Sequence, residues 1–297
     1  MNRIRWSALL VLTLLIVRSN VSAKAQMDKI SIPAGTPEDR ALQAITNETD
    51  NQKRTAMLQD FVQKFASNPA AVAYGNWQLA QTSLSGGNAA AALIYGDKAL
   101  VASPRNLDIL VSQTGVAQQL KDWGKVVGYA VRGGEIYNSI GKQPNPSNTM
   151  NKDFEATVTQ EKEAAKPSYE FLEAAGFNAI TAEQNPKQRM NFIERFTPAF
   201  PGSKFEEQVA QYAMYTLQQL NDSPRLVSYG EKALAANKEE PGAYSTALYR
   251  LGYSYAKLGR LTEARQVLSE ALKINGPFQQ PARDLLAKVN SARAKGK

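Results

Sequence analysis

The sequence contains neither cysteine nor histidine. The chain therefore lacks the side chains of most zinc sites, the Ser-His-Asp and Cys-His nucleophile arrangements, and the commonest general base near neutral pH. Disulfide bonds are excluded as well, so stability must come from packing. We predict that the protein is not an enzyme and that it holds neither a metal nor a cofactor.

Carboxylates are the remaining route to hydrolysis, and the chain has three close pairs: Glu161 and Glu163, Glu206 and Glu207, and Glu239 and Glu240. Residues one or two positions apart do not share a helix face, so these pairs do not face each other as glycosidase carboxylates must. Phosphate-binding loops are lacking too, because neither Gly86-Gly87 nor Gly133-Gly134 is followed by Lys-Ser/Thr. No catalytic residue is predicted.

The N-terminus has the layout of a targeting segment. Arg3 and Arg5 precede an apolar run at residues 8–17, Arg18 follows the run, and small residues come next in Val21-Ser-Ala23 and Ala23-Lys-Ala25. The run is about half the ~20 residues that span a bilayer. We predict that residues 1–25 are a secretory signal peptide, that the protein is exported to a bacterial periplasm or secreted, and that it has no membrane span after signal removal.

The net charge gives little indication of a nucleic-acid partner. The formal charge is +8, but four of the cations and none of the acids lie in residues 1–25. The mature chain then has 31 basic and 27 acidic side chains. A surface with so small an excess of cations lacks the clustered charge of a nucleic-acid-binding protein, and we predict no nucleic-acid partner.

What the sequence does contain is a helical hairpin at residues 245–278. Its first half has apolar or small residues at spacings of three and four, which line one face of a helix: Leu248, Leu251, Gly252, Tyr255 and Leu258. Gly259 suits the left-handed conformation that ends a helix. A second helix follows, with Leu261, Ala264, Leu268 and Ala271 on one face. Small residues such as Gly252 and Ala264 let the two helices approach closely.

This hairpin resembles the tetratricopeptide repeat, a unit of about 34 residues. The positions that carry the resemblance are Leu251-Gly252, Tyr255, Gly259, Ala264, Leu268 and Ala271, while Pro277 lies one place late. The resemblance implies an all-α, right-handed α-solenoid of antiparallel helix pairs. It also implies a concave groove, lined by the first helix of each pair, that binds a protein or peptide.

Other copies occupy residues 73–106, 107–140 and 207–240. A longer repeat is superimposed on them, because residues 44–46, Ala-Ile-Thr, recur at 179–181, and Tyr-Gly-Asp-Lys-Ala-Leu at 95–100 recurs as Tyr-Gly-Glu-Lys-Ala-Leu at 229–234. Arg54, Phe61 and Phe65 likewise recur as Arg189, Phe196 and Phe200. The chain thus resembles one multi-hairpin block used twice.

These repeats predict the domain organisation. Hairpins form a first block at residues 26–140 and a second block at 167–278, about six hairpins in all. Residues 141–166 are predicted as an insertion made of a proline-containing loop and a polar helix, with Pro167 in the first turn of the next helix. Residues 279–297 are predicted as a capping helix, at residues 281–291, and a frayed basic tail.

Register within the repeat family predicts which side chains face the groove. The predicted partner-binding residues are Tyr74, Trp77, Gln81, Gln118, Gln211, Tyr215, Gln218, Tyr249, Tyr253 and Lys257. Aromatic rings give large contact areas at low entropy cost, and amides can pair with a peptide backbone. Family members that bind chaperone tails use a cluster of Lys, Arg and Asn, of which only Lys257 matches, so that role is not predicted.

The sequence therefore favours an exported, non-catalytic adaptor that binds a protein or peptide in its groove. Two alternatives remain open. One is a structural spacer that self-associates through an exposed repeat end, which predicts a concentration-dependent mass. The other is an accessory subunit of a cell-envelope glycan machine, which requires saccharide binding.

Overall fold

A computed structural model describes residues 27–142, 150–236 and 241–295. The predicted signal peptide lies outside these residues. Thirteen α-helices and no β-strand are found in the described ranges. The helices are α1 Pro37–Asn47, α2 Asn51–Lys64, α3 Pro69–Ser85, α4 Ala89–Ala102, α5 Leu107–Gln119, α6 Trp123–Ser139, α7 Asn151–Ala182, α8 Pro186–Ala199, α9 Glu206–Gln219, α10 Ser223–Ala236, α11 Pro241–Lys257, α12 Leu261–Ala271 and α13 Gln279–Lys295.

Consecutive helices pair as six hairpins, from α1–α2 to α11–α12, and α13 packs on the last of them. Each hairpin also packs on its neighbours, as α4 does on α5 and α10 on α11. Separate apolar clusters lie at the two ends, and a larger one lies between them. The predicted all-α solenoid is confirmed, with the number of hairpins expected from the sequence and a C-terminal helix that runs to Lys295, beyond its predicted end.

The hairpin at residues 245–278 forms as its sequence predicts. Gly259 separates α11 from α12 with a φ of +72°, and the Arg260 backbone N–H donates to the Tyr255 carbonyl at 2.8 Å. A Cβ atom on Gly252 would lie 2.5 Å from Leu268 Cγ, well inside van der Waals contact. The predicted close approach of the two helices at Gly252 is therefore confirmed.

The turn inside each of the four repeat units uses the left-handed region at the same register position. The residues there are Gly87, Lys121, Asn221 and Gly259, with φ of +79°, +55°, +55° and +72°. Glycine adopts this conformation without penalty, asparagine tolerates it, and lysine is strained in it. The turn geometry is thus kept where the sequence has no glycine.

Replacing the strained residue should stabilise the chain. We expect Lys121→Gly to raise the free energy of unfolding by about 0.5–1 kcal/mol, because relief of left-handed strain exceeds the entropic cost of glycine. Asn221→Gly should have a smaller effect. Urea unfolding followed by circular dichroism measures both, and a destabilised Lys121→Gly variant would contradict the strain.

The longer repeat is also visible in the helix caps. In α2, the Asp50 N–H donates to Glu48 Oε1 at 2.8 Å, and in α8 the Asn185 N–H donates to Glu183 Oε1 at the same distance. Both cap side chains also accept from the first-turn amides of their helices. Two stretches 135 residues apart therefore begin their helices with the same hydrogen bonds.

The structure differs from the sequence prediction at Pro167. One helix, α7, continues through this residue, so no helix begins there. Proline cannot donate to the carbonyl four residues earlier, which is why a break was expected. Ala165 and Leu172, on either side, are 3% and 0% exposed in the main core, and this packing holds the two halves of α7 in one helix. The predicted proline-containing loop largely coincides with residues 143–149, outside the described ranges.

Candidate partner-binding surface

We call the side formed by the first helices of the hairpins the inner face. The ten predicted partner-binding residues lie on α3, α5, α9 and α11. Tyr215 and Lys257 are exposed, and the other eight are half-buried. Their hydrogen bonds and ring contacts fall into two groups, one on α3 and α5 and one on α9 and α11.

The group on α3 and α5 is tied into the fold. Gln81 Nε2 donates to Ser112 Oγ at 2.9 Å, which links the two helices. Trp77 packs against the main core, and its buried indole nitrogen has no hydrogen-bond partner among the described residues. Tyr74 and Gln81 line a cavity of about 230 Å³ between the first two hairpins. This part of the inner face thus offers little exposed aromatic surface.

The group on α9 and α11 is centred on Tyr215. This residue is 42% exposed, and the guanidinium carbons of Arg189 and Arg250 lie 5.8 and 5.4 Å from its ring centroid. Gln219 Nε2 donates to the Tyr215 hydroxyl at 3.0 Å, and Gln219 Oε1 accepts from Arg189 at 3.1 Å. Two cations therefore flank one solvent-accessible ring, in the geometry of cation–π contacts.

Arg189 has a structural role in this cluster. It is 6% exposed, and its Nε and Nη2 atoms donate to the Glu183 carbonyl at 2.9 and 2.5 Å. With the further bond to Gln219, the guanidinium joins the turn before α8 to α9. It fixes the inner side of the cluster and keeps little hydrogen-bonding capacity for a partner.

Arg250 is in a different situation. Its Nη1 donates to the Gln211 carbonyl at 3.2 Å, and its Nε is buried without a hydrogen-bond partner. No carboxylate of the described residues lies within ion-pair distance of it. Burial lowers the pKa of its guanidinium, and the neighbouring Tyr215 and Tyr249 only partly offset this. A partly desolvated cation without a counter-charge is costly, and a carboxylate would stabilise it.

Three predicted residues share α11 with Arg250. Tyr249 stacks on Phe278, with ring centroids 5.1 Å apart, and burial raises the pKa of its hydroxyl. Lys257 Nζ lies 5.6 Å from the centroid of the Tyr253 ring. The structure therefore holds Tyr249 against Phe278 and places the exposed Lys257 beside the half-buried Tyr253, which adds a third cation to this side of the chain.

Sequence reasoning missed Arg189, Arg250 and Gln219. Arg189 was noticed only as the counterpart of Arg54 in the longer repeat, and Gln219 adjoins the predicted Gln218. Arg250 directly follows Tyr249, so a search of the register for cations as well as for aromatic rings and amides could have found it.

Two cavities lie at equivalent places in the two blocks, on the side of the second helices. One, of about 540 Å³, is lined by Tyr95 and Lys98 among residues of α2, α3 and α4. The other, of about 610 Å³, is lined by Tyr229 and Lys232 among residues around α8, α9 and α10. The hexapeptide repeated at 95–100 and 229–234 thus places the same two side chains in both.

The described ranges contain neither a candidate metal site nor a candidate membrane span. No group of three or more acidic, cysteine or histidine side chains is placed to hold a metal ion there. Nor does any helix of those ranges combine the length and the apolarity needed to cross a membrane.

Comparison with known proteins agrees with the hairpin at α11–α12. Residues 245–277 match the family model described as tetratricopeptide repeat. No curated protein matches the chain.

Several solved structures are similar to it. The TPR domain of P58(IPK) is 13% identical, with 88% of this chain and 74% of that one covered and a TM-score of 0.35. YrrB, described as a TPR protein with an unusual peptide-binding site, is 14% identical, with 79% of this chain and 97% of that one covered and a TM-score of 0.32. A tetratricopeptide repeat protein from Parabacteroides merdae ATCC 43184 is 14% identical, with 85% of this chain and 98% of that one covered and a TM-score of 0.30.

The signature residues at 245–278, the helical hairpin that they form and the family-model match to 245–277 together identify this hairpin as a tetratricopeptide repeat.

Proposed function

We propose that the chain is a non-catalytic scaffold that binds an extended segment of a partner protein across α9 and α11, with an acidic side chain of that segment paired to Arg250. Tetratricopeptide repeats generally bind protein or peptide partners. The observation that carries the proposal is Arg250, a partly buried cation beside an exposed tyrosine ring with no carboxylate partner in the described ranges.

The surroundings of Arg250 support a peptide ligand. Tyr215 and Gln218 are three positions apart and therefore share a face of α9. The Tyr215 ring offers contact area, and the Gln218 amide can pair with a peptide backbone. On α11, the half-buried Tyr253 adds a second ring and the exposed Lys257 adds a further cation. Aromatic rings, amides and cations together fit an extended segment that carries acidic side chains.

The test uses a fluorescein-labelled peptide of alternating leucine and glutamate, and the same peptide with glutamine in place of glutamate. Anisotropy titration of the mature chain should show tighter binding of the glutamate peptide. Arg250→Ala should weaken it about 10- to 100-fold, the value of a charge-assisted hydrogen bond of about 1.5–3 kcal/mol. The affinity of the Arg250→Lys variant for the glutamate peptide should lie between those of the unmodified chain and Arg250→Ala, because lysine keeps the charge without the planar donors.

Lys98→Ala provides the matched control, since it removes one cation from the opposite side of a hairpin. It should leave the affinity nearly unchanged. Equal affinity for the two peptides, or unchanged binding by a folded Arg250→Ala variant, would contradict the proposal. Saccharide binding without peptide binding would instead favour the glycan-machine alternative.

The proposal includes export, which rests on the pattern of residues 1–25 alone. The intact mass of the protein from its producing cells should correspond to loss of that segment. An intact mass that still includes it would remove export by cleavage from the proposal.

A further inference from the structure

Residues 27–33 form an extended segment that packs on the first block. The segment contains neither helix nor strand, and its burial alternates from residue 28 to residue 33. Asp28, Ile30 and Ile32 are half-buried, whereas the residues between and after them are exposed; Met27, at the start of the segment, is buried. A period of two is the pattern of an extended chain with one face on a surface. The segment therefore lies on the first block as a bound peptide would.

One end of this segment is anchored at the turn between α4 and α5. The Arg105 N–H donates to Asp28 Oδ2 at 2.7 Å, and the Asp28 N–H donates to the Arg105 carbonyl at 3.3 Å. Met27 belongs to the main core, and Ile30 packs against that core. An acidic side chain and two apolar ones thus hold this end.

The other end lies beside a predicted partner-binding residue. Ile30, Ile32 and Tyr74 line one cavity of about 490 Å³, together with residues of α1. Ile32 also packs against the N-terminal apolar cluster. The segment therefore reaches the α3 part of the inner face, where the repeat register predicts a partner.

We propose that the inner face of the first block is a second binding site for an extended peptide, which residues 27–33 occupy within the chain itself. The external ligand is a partner segment with the same pattern, an acidic residue followed by aliphatic residues at alternate positions. It competes with residues 27–33 for Tyr74 and for the backbone of Arg105. This site is independent of the one around Arg250.

The connection to α1 allows this exchange. Residues 33–35 are exposed, and Gly35 has a φ of +77° with no atom within 4 Å of an added Cβ. Thr36 Oγ1 donates to the Pro33 carbonyl at 2.8 Å, which ties Pro33 to the start of α1, so it is the residues before Pro33 that can leave the surface without moving α1. The second block has no equivalent segment, because the stretch 135 residues further on lies within α7. A tethered segment acts at an effective concentration on the order of millimolar, so a free peptide competes only weakly until the tethered one is loosened.

The test compares the full chain with a loosened variant, Asp28→Ala/Ile30→Ser/Ile32→Ser. The probe is a fluorescein-labelled synthetic peptide with the sequence of residues 27–33, and the control probe has serine in place of both isoleucines. The loosened variant should bind the first probe at least about tenfold more tightly than the unmodified chain does. It should bind the control probe far more weakly, and adding Tyr74→Ala should reduce binding of the first probe.

Equal binding of the first probe by the two chains, or equal binding of the two probes by the loosened variant, would overturn the proposal. If the triple variant loses helix content, Asp28→Ala replaces it in the same titration, because it removes only the carboxylate acceptor. That variant should also bind the first probe more tightly than the unmodified chain, and an unchanged affinity would overturn the proposal equally.

Discussion

Gly134→Ala is expected to lower the free energy of unfolding by about 1–3 kcal/mol, the usual cost of forcing atoms into a filled contact. An added Cβ would lie 2.5 Å from the carbonyl oxygen of Ala199 and 3.1 Å from Phe200 Cζ. Asn138 Nδ2 donates to the same carbonyl at 2.8 Å, so that oxygen is fixed. Because the obstacle is backbone, α6 and α8 must separate.

Gly115→Ala provides the control for this substitution. Gly115 lies within α5, and no atom lies within 4 Å of an added Cβ there. Alanine is the better helix former by roughly 0.5–1 kcal/mol, so this variant should be stabilised. Urea unfolding of the full chain, followed by circular dichroism at 222 nm, measures both. Changes of the same sign in the free energy of unfolding of the two variants would contradict the close contact between α6 and α8.

The second large effect is alkaline unfolding between pH 10 and 12. Burial, reinforced by the carboxylate of Glu173, raises the pKa of the Tyr169 hydroxyl to about 12. Burial and a hydrogen bond to Glu231 raise the pKa of the Tyr255 hydroxyl to about 12. Burial and the hydrogen bond to Asp97 raise the pKa of Tyr129 further.

The direction of the effect follows from proton linkage. An unfolded tyrosine loses its proton near pH 10, whereas these folded tyrosines keep theirs to higher pH. Between the two values the folded state binds more protons, so stability is complete below pH 10 and falls as the pH rises through about 12. Helix content followed by circular dichroism across this range should show the loss.

Tyr169→Phe tests the contribution of one hydroxyl. Its ring stacks on Tyr137 with centroids 4.2 Å apart, and phenylalanine can keep that contact. The pH of half-unfolding should therefore rise in this variant. Tyr215→Phe, at an exposed residue, controls for the loss of a hydroxyl and should shift the pH of half-unfolding less. A Tyr169→Phe chain that unfolds at the same pH as the unmodified one would contradict the link between deprotonation of the Tyr169 hydroxyl and unfolding.

The hairpins could be predicted because their signals are local. Left-handed turn residues such as Gly259 act within their own turn, and small residues such as Gly252 contact the other helix of the same hairpin. The left-handed turns at Lys121 and Asn221 follow from the repeat period although neither residue favours them strongly. Pro167 shows the converse, since buried neighbours outweigh a residue that usually ends a helix.

The binding surface could be predicted only in part. Register indicated Tyr215, which is exposed, and Tyr253, which is half-buried. The environment of Arg250 depends on residues far away in the sequence, and neither burial nor the lack of a counter-charge can be read from register. Residues 27–33 were assigned to the first block without any sign that they cover α3. Their position depends on the turn at Arg105, more than 70 residues away.

The most direct test of the scaffold proposal is hydrogen exchange of the full chain with and without saturating leucine–glutamate peptide. Exchange should slow in α9 and α11, around Tyr215 and Arg250, and should stay unchanged in α4 and α10 on the other side of the hairpins. Slowing confined to α4 and α10, or no slowing in any helix at saturation, would contradict a partner site on the inner face.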